Sequence, residues 1–169
     1  MSADVVGPTP DSAYLARLRE RLDQAGLAER VHVRGALDAG ELDAIWREAD
    51  LLVLPSLHET FGMVVTEALA RGIPAVVSRG TGAVEALAGD DFPAGGDLTP
   101  EGLAQLPGAL ADPHDPADLR AVLEAWLTDA HLRADWRARA LERRGARRPW
   151  SRPAAELWAL LTDQPGETA

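Results

Sequence analysis

The stretch from Leu51 to Ser78 constrains the fold of this chain more than any other. It opens on four apolar residues, Leu51-Leu52-Val53-Leu54, a run of the length expected for a buried strand. Pro55-Ser56 then turns the chain. A helix is predicted from near Phe61 to Arg71, closed by Gly72 as its C′ residue and by Pro74 as a stop. Ala75-Val76-Val77-Ser78 reads as the next strand. A strand, a loop, a helix and a second strand in this order belong to an α/β sheet, where ligands bind at the carboxyl ends of strands.

The remaining chain repeats the alternation. Asp4-Val5-Val6-Gly7 and Val31-His32-Val33 read as strands. Ser12 is the expected cap of a helix whose Leu15, Leu18 and Leu22 form one stripe. Asp38 and Glu41 have the spacing of a capping box before Leu42, Ile45, Trp46 and Ala49. A short helix is expected from about Gly82 to Leu87, and Gly89–Pro107, rich in Gly, Pro and Asp, reads as a loop. Asp115-Pro116 opens a helix bearing Leu119, Val122, Leu123 and Trp126, Asp129 caps the next, and Ser151 the last, with Leu157, Trp158 and Leu161 along its inner face. Trp46, Trp126 and Trp158 are thus expected in the core. The expected architecture is α/β: one Rossmann-like parallel sheet with helices on both faces over residues 1–162, followed by a disordered tail at 163–169. It is not the dinucleotide-binding kind, because Gly7 stands alone and no G-x-G-x-x-G follows the first strand.

Within the Leu51–Ser78 unit the chemistry lies in the spacing of two glutamates. Glu59 falls in the loop and Glu67 eight residues later, inside the helix. Between them the N–H groups of Phe61, Gly62, Met63 and Val64 open a helix N-terminus, which suits a phosphate. Gly62 lacks a Cβ and lets a ligand come close to the main chain. Such a set can grip a sugar hydroxyl, a diphosphate and a ribose diol in a row. Plainer readings exist for each residue alone: Glu67 can pair with Arg71 one helical turn on, and Glu59 can be an exposed loop acid.

Taken together, these residues resemble the E-x7-E signature of family 4 retaining glycosyltransferases with the GT-B fold. The flanks are similar as well. Val31-His32-Val33-Arg34-Gly35 looks like the family's strand and glycine before its base-binding loop, and Ser78 to Glu85 like its glycine-rich turn ending in a glutamate. Gly108-Ala109-Leu110-Ala111-Asp112-Pro113, with Asp115-Pro116, looks like the segment opening the last Rossmann helix, and Trp150 like the tail signal. Departures are Arg79-Gly80-Thr81-Gly82, where a double glycine is more usual, and Arg147-Arg148-Pro149 before the tryptophan.

The resemblance implies the donor-binding half of a GT-B enzyme, with a nucleotide-diphosphate sugar as substrate, no cofactor and no metal. Glu59, the catalytic candidate, would hold hydroxyls of the transferred sugar, with Thr60 beside it in the donor loop. The N–H groups of Phe61, Gly62, Met63 and Val64 would face sugar and diphosphate. Glu67 would accept from the ribose hydroxyls, and Gly35, Ala36 and Leu37 would contact the base. Transfer would proceed with retention, driven by stabilisation of charge on the leaving diphosphate.

Composition narrows the alternatives. The 169 residues suffice for a domain with a core, and the absence of cysteine excludes disulfides and thiolate chemistry. A net charge of −10 argues against nucleic acid as a partner. No apolar run has the length of a membrane span and no signal peptide is apparent, so a cytoplasmic location is expected. The four histidines show no metal-ligand spacing. Residues 1–132 carry 9 basic and 22 acidic side chains, whereas 133–152 carry eight arginines. This basic stretch reads as a solvated helix face around Leu132, Trp136 and Ala140, with peripheral contact to an anionic membrane as the functional alternative. All 17 basic residues are arginine, so no lysine can act on a phosphate.

The family's first βα unit, with its glycine-arginine turn and helix-opening lysine, has no counterpart before Val5-Val6-Gly7. The expectation is therefore that the chain cannot transfer sugar without an N-terminal acceptor-binding half, in cis or as a separate chain. Val5–Gly7 would then pair beside Leu51–Leu54, with Val31–Arg34 outside it and Ala75–Ser78 on the far side, or else leave a sheet edge open. Two rival readings remain: a non-catalytic binding or interaction module that keeps only the fold, and an acidic α/β domain whose glutamates are merely ionic.

Overall fold

The computed structural model describes residues 1–9, 11–89, 98–145 and 151–162. The predicted tail at 163–169, Trp150 and Arg147-Arg148-Pro149 lie outside them, and Ser151, expected as the last cap, is instead the first residue of the last helix. Contacts divide the chain into two compact units, Met1–Ala49 and Asp50–Ala169.

The first unit runs β1 (Ala3–Val6), α1 (Ser12–Gln24), β2 (Val31–Gly35) and α2 (Ala39–Glu48). The strands pair in parallel from Ala3 opposite Val31 to Val6 opposite Gly35, with a register shift after Val5. Asp4 bridges the strands by accepting from Arg34 Nε at 2.7 Å. The cap of α1 is Asp11 rather than Ser12: its Oδ1 accepts from the N–H groups of Ala13 and Tyr14, both at 2.9 Å. A carboxylate one residue earlier reaches the free N–H groups and leaves Ser12 as the first helical residue. The capping box of Asp38 and Glu41 forms as expected, and Trp46 is buried on α2.

The second unit runs β3 (Leu52–Leu54), α3 (Met63–Ala70), β4 (Ala75–Ser78), α4 (Ala83–Ala88), α5 (Pro100–Ala104), β5 (Gly108–Ala111), α6 (Pro116–Thr128), α7 (Ala130–Gly145) and α8 (Ser151–Thr162). Its sheet is parallel in the order β3-β4-β5. β4 is buried at every residue and alternates between two cores. Ala75 and Val77 meet Val65 and Leu69 of α3 and Val84 and Leu87 of α4, whereas Val76 meets Trp126 of α6 and Trp136 of α7. Helices therefore cover both faces, as in a Rossmann-like sheet. Gly72, at φ +70°, ends α3 in a Schellman motif: its N–H donates to Leu69 and that of Ile73 to Ala68, each at 2.9 Å.

Four expectations are corrected. β1 does not pair beside β3. Its described ladder runs to β2, and β1-β2 and β3-β4-β5 are separate sheets. All four β1 residues are exposed. Gly108–Ala111, read only as the approach to a helix, is strand β5, paired with β4 from Ala75–Gly108 to Ser78–Ala111. Its small residues let the backbones close up: a Cβ on Gly108 would lie 1.7 Å from the Ala75 carbonyl oxygen. The region 89–107 is not all loop, because Thr99 Oγ1 accepts from Gly102 N–H at 3.1 Å and starts α5 at Pro100. Last, Trp158 is not in the core. It is 69% exposed and Leu161 is 65% exposed, since among the described residues no helix or sheet covers that stripe of α8.

The basic stretch is partly a structural device. Arg133 Nη1 donates to the Trp126 and Leu127 carbonyl oxygens, both at 2.8 Å, and so closes the end of α6. Arg139 pairs with Asp135 at 2.9 Å. Trp136 and Ala140 are buried, as their spacing predicts. No helix among the described residues is long and apolar enough to cross a membrane.

Candidate functional site

β3 ends at Leu54 and the chain descends through Pro55–Gly62 into α3. The helix begins at Met63, two residues later than the sequence suggests, because Gly62 adopts φ 81° and ψ 53°. That left-handed geometry is open to glycine at little cost. Space also demands it: a Cβ on Gly62 would lie 3.0 Å from Ala83 Cα. Across the loop, the N–H of Gly82 donates to the Glu59 carbonyl oxygen at 2.8 Å. A Cβ on Gly82 would fall 1.9 Å from the Thr60 carbonyl oxygen. The β3–α3 loop and the β4–α4 turn thus pack backbone against backbone through two glycines. Gly62 is legible from its neighbours, whereas nothing around Gly82, which the sequence places at the end of an atypical turn and the start of a short helix, marks it as a support of this loop.

The side chain of Glu59 folds back on its own loop. Oε1 accepts from Gly62 N–H at 2.9 Å and from Phe61 N–H at 3.3 Å. A carboxylate therefore already occupies two of the four N–H groups expected to face an anion. No hydrogen bond within the described residues uses the N–H groups of Met63 and Val64. Glu59 is half-buried, Thr60, Phe61 and Met63 are exposed, and Val64 is half-buried against the core. Glu67 is exposed on α3, about 6 Å along the helix from Met63 at 1.5 Å per residue. Arg71 Nη1 donates to the Glu67 carbonyl oxygen at 3.1 Å.

Gly35, Ala36 and Leu37 follow β2 in the first unit, whereas Glu59, Thr60, Phe61, Gly62, Met63, Val64 and Glu67 share one loop and helix of the second. Gly35 takes φ +75°, and its carbonyl oxygen accepts from Gly7 N–H at 2.9 Å, which fixes the strand end before Ala36. Neither glutamate lines either of two concavities in the second unit. One, of about 480 Å³, lies among Glu101, Gln105, Arg139 and Arg143; the other, of about 110 Å³, lies beneath Pro55, Ser78 and Pro116. Glu67 instead stands exposed, able to accept hydrogen bonds from a ligand laid over the N-terminus of α3.

The sequence profile described as Glycosyl transferases group 1 matches residues 2–143. The chain is similar to a D-inositol 3-phosphate glycosyltransferase of Arthrobacter sp. (strain FB24), with 35% identity over 151 residues, 87% of this chain and 32% of that protein. A protein of the same name from Jonesia denitrificans is 30% identical over 154 residues, 91% of this chain and 32% of the relative. This chain thus spans about a third of the length of these relatives. In fold it is similar to Anabaena HepE, solved in complex with UDP, at a TM-score of 0.73 and 20% identity over 96% of this chain and 41% of that one.

Proposed function

We propose, on the premise that this chain belongs to the glycosyl transferases group 1 family, that it binds the nucleotide-diphosphate sugar donor of a retaining transfer. The observation that carries the proposal is the Glu59–Glu67 loop and helix at the carboxyl end of β3, held in shape by Gly62 and Gly82. HepE, of like fold, was solved with UDP, which supports a nucleotide donor here.

The residues divide the labour. Glu67 accepts hydrogen bonds from the ribose hydroxyls. Glu59 accepts from hydroxyls of the transferred sugar, and for the Phe61 and Gly62 N–H groups to face the donor its carboxylate must leave them. Those groups, with Met63 and Val64 N–H, then face the sugar and diphosphate beside the positive end of the α3 dipole. Gly35, Ala36 and Leu37 contact the base through the main chain. Catalysis rests on stabilising charge as the leaving diphosphate departs. The acceptor is held by a second half, in cis or as a partner chain, and transfer requires it.

Calorimetric titration with UDP-, GDP- and ADP-sugars tests this reading. One of them should bind below millimolar, and Glu67→Ala should weaken it by about 1.5–3 kcal/mol, the loss of hydrogen bonds to a charged group. No binding to any of the three, or an unchanged affinity in Glu67→Ala, contradicts the assignment.

A further inference from the structure

Because β3, β4 and β5 are parallel, the residues after Leu54, Ser78 and Ala111 gather at one edge of the sheet. The carboxylates there are turned onto their own backbone. Glu59 accepts from Phe61 and Gly62 N–H, Asp112 Oδ1 from His114 N–H at 2.8 Å, and Asp115 Oδ1 from Ala117 N–H at 2.9 Å. The single arginine in these turns is Arg79, the residue that follows β4. Its side chain is exposed and has no partner among the described residues.

The backbone of Arg79 is well anchored. Its N–H donates to the Ala111 carbonyl oxygen at 2.8 Å, Thr81 Oγ1 donates to the Ser78 carbonyl oxygen at 2.9 Å, and Gly82 N–H holds the Glu59 carbonyl oxygen at 2.8 Å. A permanently charged guanidinium is therefore mounted on the same short turn that supports the Glu59 loop. A diphosphate arriving at that loop needs positive charge. The chain has no lysine, and two of the four N–H groups already donate to Glu59.

We propose that Arg79 binds the donor diphosphate, its planar fork matching two phosphate oxygens as a lysine could not. This deepens the donor-site reading and rests on it. It adds a charge partner from the β4–α4 turn.

The test compares UDP, GDP and ADP with their nucleosides on the whole chain by saturation-transfer NMR, for wild type, Arg79→Gln, Arg79→Lys and Glu67→Ala. Circular dichroism confirms the fold of each, and Arg79 is exposed enough for substitution to be tolerated. The preference for diphosphate over nucleoside should fall tenfold to a hundredfold in Arg79→Gln and return in part in Arg79→Lys. Glu67→Ala should weaken nucleoside and diphosphate alike. If a diphosphate binds the wild type in a Glu67-dependent way and Arg79→Gln keeps the full preference, the inference fails while the donor reading stands. If no nucleotide binds, or binding ignores Glu67, both fail.

Discussion

At the scale of single residues, Glu59 does two jobs that substitutions can separate. Its carboxylate caps its own loop through Phe61 and Gly62 N–H, and on the donor reading it also serves the sugar. Glu59→Gln keeps a carbonyl oxygen for the cap and removes the charge. It should change stability by less than about 0.5 kcal/mol while weakening sugar-nucleotide binding, whereas Glu59→Ala should also cost about 1 kcal/mol of thermal stability for the lost cap. Gly82 offers a purely steric probe. Its missing Cβ would sit 1.9 Å from a backbone oxygen, so Gly82→Ala should destabilise by about 1–3 kcal/mol in chemical denaturation and disturb the Glu59 loop with it. Gly80→Ala meets open space and bears only the penalty of φ +73°, about 1–2 kcal/mol. Equal effects at 80 and 82 on donor binding would show that the loop-to-turn packing does not shape the site.

At the scale of elements, the two ends of the arginine-rich α7 behave differently. Its N-terminus is capped by Asp129, whose Oδ1 accepts from His131 N–H at 2.8 Å and Leu132 N–H at 3.1 Å. The bonds to Leu132 and His131 hold its carboxyl below the ordinary 3.8. A group lowered in the folded state adds stability above its unfolded value and loses it as pH falls through the folded one. Melting curves of wild type and Asp129→Ala should thus differ fully at neutral pH and converge below about pH 3.8. Farther along, Trp136 is 7% exposed between α6 and the sheet, so Trp136→Ala should cost about 3–5 kcal/mol. Trp158→Ala should stay within about 0.5 kcal/mol. Both tryptophans sit on similar apolar stripes, and this is where pattern reading reaches its limit. Periodicity shows which face of a helix is apolar, but not whether another element arrives to cover it. The Leu51–Ser78 unit was legible because its breakers, Pro55, Gly72 and Pro74, mark both ends of the helix. β5 was not, because Gly108-Ala109-Leu110-Ala111 carries little strand preference and becomes a strand only by pairing with β4.

At the scale of the whole molecule, the α/β class and the loop between β3 and α3 could be read from local signals, whereas the joining of strands into sheets could not. Whether β1 meets β3 depends on what lies beside both, and no property of Val5-Val6 or Leu52–Leu54 decides it. The two separate sheets differ sharply in protection. Amide exchange of β1, exposed throughout, should be complete well before that of β4, buried throughout; equal protection would contradict the described pairing. On the proposed donor reading, the loop from Glu59 to Val64, together with Glu67, receives a nucleotide-diphosphate sugar. Backbone amide NMR of the chain titrated with UDP-, GDP- and ADP-sugars tests it most directly. One donor should shift the amides of Phe61, Gly62, Met63 and Val64 most, as Glu59 gives up its N–H partners, with Glu67 and Arg79 next. Shifts centred elsewhere, or none with any donor at millimolar concentration, would contradict it.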